Sequence, residues 1–410
     1  MKKSGLHRAW LVLIGCCAIM SGGLGIICNC IGIFYAPVSE AMGFGMGQMS
    51  MTYTIRTLSS ALAVPFISKY YRKGHFKAIV TLSALGAGGS LLAMGFFHSI
   101  WQWYLASAVM GAMGCVIFTS ASFLINNWFQ EKTGFALGMS ATFSGLAGAL
   151  LSPAGTWIIG QFGWRAAYIA LGGLSLALML PFCVTVLDFS PADVGLEPYG
   201  AGSGRAVKTE YEARYFSRTD ETKVFALSVF LFLSIQCASS LTQHLPKMAI
   251  QAGLSASLAA LILSASMIGN ILGKVVLGSL YDRFGLKRIT FLLQMLIGLA
   301  IFTFVFQAEI FQIDFIAGVI FGTHMSLYTL TLPLVVRAVY GSGRYSEIYP
   351  KIYAPASIVS AFSSTMVGVS YDLSGSYTIA FVTLGTLAVL GGFALLELMR
   401  QRPSTAEPQS

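Results

Sequence analysis

The chain has 410 residues, 56% of them hydrophobic and only 10% charged. Soluble globular domains carry about 25% charged residues, so this composition excludes a water-soluble fold. The formal net charge of +9 would suit nucleic acid, but its distribution along the chain, set out below, argues against that partner.

Apolar runs recur from end to end, each long enough for a hydrocarbon core of about 30 Å. They predict twelve spans: 9–35, 49–68, 78–97, 101–125, 134–159, 166–186, 224–245, 258–281, 289–306, 311–336, 352–369 and 379–399. The first run follows Lys2, Lys3 and Arg8. It is too long for a signal-peptide core and lacks a small-residue cleavage site, so it reads as a retained helix. Most connections are short. One, 187–223, is polar, carries mixed charge and contains Pro191 and Pro198. It reads as a cytoplasmic linker between an N-terminal six-helix bundle, 1–186, and a C-terminal one, 224–410, with a short cytoplasmic tail. The predicted fold class is an all-α membrane protein of twelve transmembrane helices in two six-helix bundles.

Orientation follows from the cations. With the N-terminus in the cytoplasm, all but four of the 25 Lys and Arg fall on inner segments. Arg165 and Lys247 lie outside; Arg56 and Lys274 lie within spans. The basic balance is therefore a topology signal, with both termini cytoplasmic and the cell membrane as the expected location. Among the acids, Glu40, Glu309, Asp314 and Asp372 are expected on outer loops and the others on inner segments or, for Glu397, near the inner end of span 12. The expected membrane core thus holds two cations and no fixed anion. The seven cysteines are scattered, four of them (Cys16, Cys17, Cys28, Cys30) in span 1. A Cys-x-Cys pair on a helix points its thiols about 200° apart, which does not suit a metal; no metal or other cofactor is expected.

Residues three or four apart share a helix face, and several spans carry a polar stripe at that spacing. Span 2 has Tyr53, Arg56 and Ser60; span 4 has Thr119, Ser122 and Asn126; span 5 has Ser140 and Ser144. Span 7 has Gln236, Ser240 and His244; span 8 has Ser266, Asn270 and Lys274; span 10 has His324, Tyr328 and Thr331; span 11 has Tyr353, Ser357, Ser360 and Ser364. Span 1 offers Asn29, while spans 3, 6, 9 and 12 are nearly featureless. Serine stripes also arise from bonds to the helix's own backbone or to a neighbouring helix. A charge is harder to account for that way, since it costs about 2.5–3.5 kcal/mol at mid-membrane on insertion scales. Lys274 lies about 12 Å along the helix from Asp282 by the rise per residue. Two membrane cations without a membrane carboxylate call for an anionic substrate. Arginine grips a carboxylate in a planar fork; lysine acts as a point charge. No protease or hydrolase constellation falls at membrane depth, so an enzyme is not expected. The run GLAGALLSPAG in span 5 lacks the strand and the Lys-Ser/Thr of a phosphate loop and reads as helix packing.

The loop after span 8 reads GSLYDRFGLKR, from Gly278 through Asp282, Arg283 and Gly285 to Arg288. It resembles the G-x-x-x-D-R-x-G-R/K-R/K signature of the major facilitator superfamily. That resemblance implies two bundles rocking about a central site, with Gly278, Asp282, Arg283 and Gly285 at the inner gate. The superfamily repeats the signature after span 2; here that copy runs from Pro65 to Lys73 and carries Lys69 in place of the acid. Finer features are similar to the monocarboxylate porters and oxalate/formate antiporters. They are NWFQEKTGFALG from Asn127, Gly163-Trp164-Arg165, SPADVG from Ser190, and Tyr353-Ala-Pro355-Ala. In that branch a span 8 cation binds the substrate carboxylate, and its place falls on Lys274. The chain departs from the branch at Ala356, where oxalate transporters carry a second cation. It departs again at Asn29, where monocarboxylate porters carry a lysine, and at Asn270, where an acid often pairs with the span 8 cation. Arg56 is then the candidate second cation.

The sequence therefore reads as a secondary transporter for a small organic anion, a monocarboxylate first, with a coupled proton or counter-anion as a further option and a monomer as the working unit. Lys274 and Arg56 would bind the carboxylate; Asn29, Asn126, Gln236, Asn270, His324 and Tyr328 would shape the pocket. The alternatives are efflux of drugs or other amphipathic compounds and, less well matched, a membrane receptor or scaffold, which would call for larger soluble domains than the linker supplies.

Overall fold

The computed structural model describes residues 7–70, 76–200, 216, 218–305 and 311–401. The chain begins with α1 (Arg8–Met20), a π-helical stretch (Ser21–Asn29), α2 (Gly32–Met42) and α3 (Met46–Tyr70). There follow α4 (Phe76–Ala93), α5 (Ile100–Trp128), α6 (Thr133–Thr185) and α7 (Arg218–Ala238). A 3₁₀ stretch (Ser239–Gln243) leads to α8 (Leu245–Gln251), α9 (Ala256–Phe284), α10 (Leu286–Val305), α11 (Phe311–Gly322) and the short α12 (His324–Ser326). A second π-helical stretch (Leu327–Thr331) precedes α13 (Leu332–Ser374) and α14 (Thr378–Leu398). The described residues hold no strand, only an isolated bridge between Phe129 and Tyr199.

Ten helices among the described residues are long and apolar enough to cross a membrane. Spans 5 and 6 of the sequence reading fall together in Phe135–Thr185, and span 2, within α3, is not among the ten. Inside α6 the backbone leaves helical geometry at Gly163 (φ 83°, ψ 165°), and inside α13 it does so at Gly341 (φ 78°, ψ 160°). Only glycine adopts such values without a steric penalty. These two residues turn the chain between expected spans 5 and 6 and between 10 and 11. Starts are fixed locally as well: Gln102 Oε1 accepts from the backbone of Ser99 at 3.0 Å, half of a capping box that opens α5.

The chain divides into two compact units, Met1–Phe44 with Met51–Ala206, and Gly45–Ser50 with Val207–Ser410. The core of the first is aromatic. Phe34 stacks on Tyr168 at 3.7 Å, and Trp103 meets Phe44, Phe97 and Trp164. The early part of the expected linker is fastened to this unit. Asp188 bonds Arg8 and Lys77 at 2.6 and 2.9 Å, Trp128 Nε1 donates to the Asp188 carbonyl, and the Tyr199 backbone bonds that of Trp128. In the second unit Phe304, Phe321, Phe381 and Tyr377 are fully buried together with Phe232 and Tyr340. Large apolar side chains meanwhile stand outward: Trp101 is 74% exposed and Met366 70%. A protein whose solvent is hydrocarbon loses nothing by this.

One expectation about charge is corrected. Asp314 is not on an outer loop; it lies in the first turn of α11 and is only 2% exposed. The first turn has backbone N–H groups without helical partners and the positive end of the helix dipole, so a carboxylate is tolerated there. Asp372 also sits in a helix, near the end of α13, and its two oxygens accept from the backbone N–H of Met46 and Gly47 at 2.8 and 2.7 Å.

Helices in this fold approach closely at glycine. A Cβ built on Gly322 would overlap the Ser266 carbonyl, and one on Gly269 the Val319 carbonyl. A Cβ on Gly89 meets nothing within 4 Å. Overpacking costs about 1–3 kcal/mol. Gly322→Ala is therefore expected to lower the apparent melting temperature in detergent by several degrees, while Gly89→Ala leaves it unchanged or raises it.

Candidate functional site

The predicted site residues fall into two groups. Lys274, Asn270, Gln236, His324 and Tyr328 belong to the second unit; Arg56, Asn29 and Asn126 belong to the first.

In the second unit the stripe Ser266–Asn270–Lys274 runs along α9. Its roll is set by α11 and α12: Gly269, Gly273 and Ser266 meet Val319, Ser326 and Gly322, and Ser326 Oγ donates to the Asn270 carbonyl at 2.8 Å. The Asn270 side chain is 3% exposed, and its Oδ1 has no partner among the described residues. His324 is 1% exposed. Its Nδ1 lies 2.7 Å from the Phe321 carbonyl, so that nitrogen carries the proton, and Nε2 is an acceptor without a partner among the described residues. Gln236 Oε1 accepts from Ser357 and Ser360 at 3.0 and 3.2 Å, and its Nε2 has no partner among the described residues. Tyr328 stands on the second π-helical stretch, with its hydroxyl on that of Tyr353, whose ring stacks on Tyr349. Lys274 is half-buried, and among the described residues no carboxylate pairs with it.

Of the motif residues, Arg283 and Gly285 are exposed at the end of α9, where Gly285 (φ 84°) ends the helix. Gly278 and Asp282 lie on the α9 backbone, but their side-chain surroundings fall outside the described residues, as do the side chains of the copy at 65–73. His244, a member of the span 7 stripe, is fully buried. Its ring nitrogens face Tyr377, Ser50 and the Ser364 carbonyl at 3.2–3.3 Å.

In the first unit Arg56 is held by its neighbours. Its Nη1 donates to the Ile27 carbonyl at 3.3 Å, and the guanidinium lies 5.2 Å from the Tyr53 ring centre. Ile27 belongs to the Gly-rich π-helical stretch Ser21–Asn29. Such stretches disturb the regular hydrogen-bond ladder and often occur at functional positions. The stretch is pressed against α6, where a Cβ on Gly25 would stand 2.6 Å from Ala147 and 2.9 Å from the Ser144 carbonyl. Asn29 Nδ2 donates to that same carbonyl at 3.2 Å. Asn126 is exposed and returns its amide to Ser122 of its own helix at 2.9 Å. Gly111 fixes α5 against the Arg56 backbone, where any side chain would collide.

The arrangement offers hydrogen bonds and charge rather than bond-making chemistry. No group of three or more His, Cys, Asp or Glu suited to a metal occurs among the described residues. Three features escaped the sequence reading. The Gly269-x-x-x-Gly273 spacing was a visible signal for close helix approach. The π-helical stretches and the Asp372 contact had no signal that single-sequence patterning could use.

Helices of this length and apolarity, in this all-helical arrangement, define a multi-pass membrane protein. The chain belongs to the Major Facilitator Superfamily, whose family profile matches residues 11–328. It is 24% identical over 423 residues to Monocarboxylate transporter 12 of Rattus norvegicus, covering 96% of this chain and 86% of that protein. It is 29% identical over 245 residues to the Multidrug resistance protein MdtG of Escherichia fergusonii, covering 58% and 57%. The fold matches a crystal structure of the nucleoside transporter NupG with a TM-score of 0.68 at 12% identity, over 95% of this chain and all of that one. The chain is thus a membrane transporter by family.

The amides of Asn29 and Asn126, each bonded to a backbone carbonyl, offer a test of packing against binding. An interhelical side-chain bond is worth about 0.6 kcal/mol on average. Asn29→Ala is expected to lower the apparent melting temperature slightly and leave the KM of transport unchanged. Asn126→Ala is expected to change neither. A large rise in KM for Asn29→Ala would put its amide on the substrate instead.

Proposed function

We propose that this protein is a secondary active transporter that moves a small organic anion, a monocarboxylate, by alternating access through twelve membrane helices in two six-helix bundles, with both termini in the cytoplasm and the plasma membrane as its site. The observation that carries the reading is Lys274: a cation eight residues inside the apolar helix from Asp282, half-buried and without a carboxylate partner among the described residues. A charge so placed is costly, and the carboxylate of a substrate supplies the counter-ion that the protein does not. Asn270, one turn away on the same face, has an Oδ1 acceptor without a partner among the described residues. That acceptor suits a hydroxyl or protonated group on the substrate. Gln236, His324 and Tyr328 are proposed to complete the polar surroundings in the second unit. Arg56 is proposed as the second cation, a guanidinium with five N–H donors, one of them on the Ile27 carbonyl. The similarity to Monocarboxylate transporter 12 over 96% of the chain supports the same substrate class.

The buried Asp314 does not remove this argument. It lies at the first turn of α11, while Lys274 lies in the second half of α9, about three turns from its end. A second reading, export of amphipathic compounds, is favoured by the partial similarity to the multidrug resistance protein. It predicts transport of neutral or cationic solutes without any need for Lys274.

Uptake into proteoliposomes, with a panel of labelled monocarboxylates, dicarboxylates and neutral or cationic amphipaths, distinguishes the two. Removing one member of a desolvated charge pair costs about 2–5 kcal/mol, so Lys274→Ala is expected to cut monocarboxylate uptake by at least about tenfold. Unchanged uptake in the variant would take Lys274 out of the mechanism. Transport of only neutral or cationic compounds would sink the anion reading.

A further inference from the structure

We propose that the first unit carries a site for an anionic phospholipid, formed by α4 and the end of α6 and distinct from the transport residues. A groove of about 430 Å³ is lined by Lys77, Ala78, Thr81, Leu82, Leu85 and Val184. The α4 residues recur at helical spacing along one face, so the groove runs lengthwise. From Lys77 to Leu85 it extends about 12 Å at the α-helical rise, close to the half-thickness of about 15 Å of a hydrocarbon core. Its walls are apolar and outward: Leu82 is 62% exposed and Val184 57%. A lipid chain is the occupant such a wall meets in a bilayer.

The polar end gives the headgroup. Lys77 and Arg8 share one carboxylate, that of Asp188, at 2.9 and 2.6 Å. Among the described residues two cations share this one anion, which leaves one positive charge uncompensated beside the groove. Donors remain as well. Lys77 Nζ spends one on Asp188 and one on the Thr185 carbonyl at 3.4 Å, leaving a third of its three. Arg8 Nε is buried and has no acceptor among the described residues. Lys77 stands in the first turn of α4 and the leucines follow along the helix; the orientation proposed above puts the charge at the membrane surface and the leucines in the apolar layer. Charge at the surface and an apolar track leading inward from it match a phosphate-bearing lipid whose headgroup is net negative. A zwitterionic headgroup would bring its own cation to the same place. A basic pocket between membrane helices on the cytoplasmic side is the usual setting for such recognition, and the orientation proposed above puts Lys77 there.

The test is native mass spectrometry of the full-length protein, purified in detergent and offered equimolar phosphatidylglycerol and phosphatidylcholine. Wild type is expected to retain phosphatidylglycerol about fivefold over phosphatidylcholine, the worth of one surface cation at ~1 kcal/mol. Lys77→Gln should bring the two lipids to parity. Leu85→Trp, which fills the groove, should reduce retention of both, while Leu105→Trp, an exposed apolar position on α5, should match wild type. Equal retention of the two lipids by wild type, or a preference unaltered by both groove variants, would overturn the proposal. So would a dimer mass that disappears in Leu85→Trp, because a second copy of the chain would then be the occupant.

Discussion

The arrangement of the second unit depends on one close crossing, that of α9 with α11 and α12. In hydrocarbon, burying one apolar helix face against another gains nothing over burying it in lipid, so helices associate through close packing and polar contacts. Gly269 and Gly322 let two backbones meet where no side chain would fit, and Ser326 adds a hydrogen bond to the Asn270 carbonyl. This contact fixes the roll of α9 about its own axis. The direction of Asn270 and Lys274 follows from it, since both sit on a face adjoining the contact. The first unit uses the same device, with Gly111 against the Arg56 backbone and Gly25 against Ser144.

Close packing alone would give stiff, regular rods. The chain departs from regular helix at the π-helical stretches Ser21–Asn29 and Leu327–Thr331 and the 3₁₀ stretch Ser239–Gln243. Broken or unwound membrane helices are tolerated where protein or an internal cavity satisfies the backbone. Here Arg56 takes the Ile27 carbonyl of the first stretch, and Tyr328 projects from the second to the Tyr353 hydroxyl. Two of the proposed binding residues are therefore tied to the segments of the fold with the least regular helical bonding.

Much of this was legible from residue order because membrane helices announce themselves by length and apolarity. The expected spans and the observed helices share most of their extent, and the breaks between spans 5 and 6 and between 10 and 11 fall at single glycines with positive φ. The cations Lys274 and Arg56 stood out for the same reason: charge is rare in such runs. The buried position of Asp314 could not be read from spacing: expected span 10 also begins at 311, but a single sequence does not say whether an acid in the first turn of α11 faces water or a neighbouring helix. The partners of Asp372 were out of reach, since Met46 and Gly47 lie more than three hundred residues earlier. The polar stripes were visible, yet spacing alone could not separate amides already spent on a neighbouring backbone, as at Asn29, from those with an atom to spare, as at Gln236 and Asn270.

The central claim is that Lys274 is the counter-charge of the substrate. Calorimetric titration of the purified protein with a transported monocarboxylate tests it without the complications of flux. If the claim holds, wild type binds, Lys274→Arg retains binding because the charge is kept, and Lys274→Gln loses it. Binding by Lys274→Gln as tight as that of wild type would contradict it.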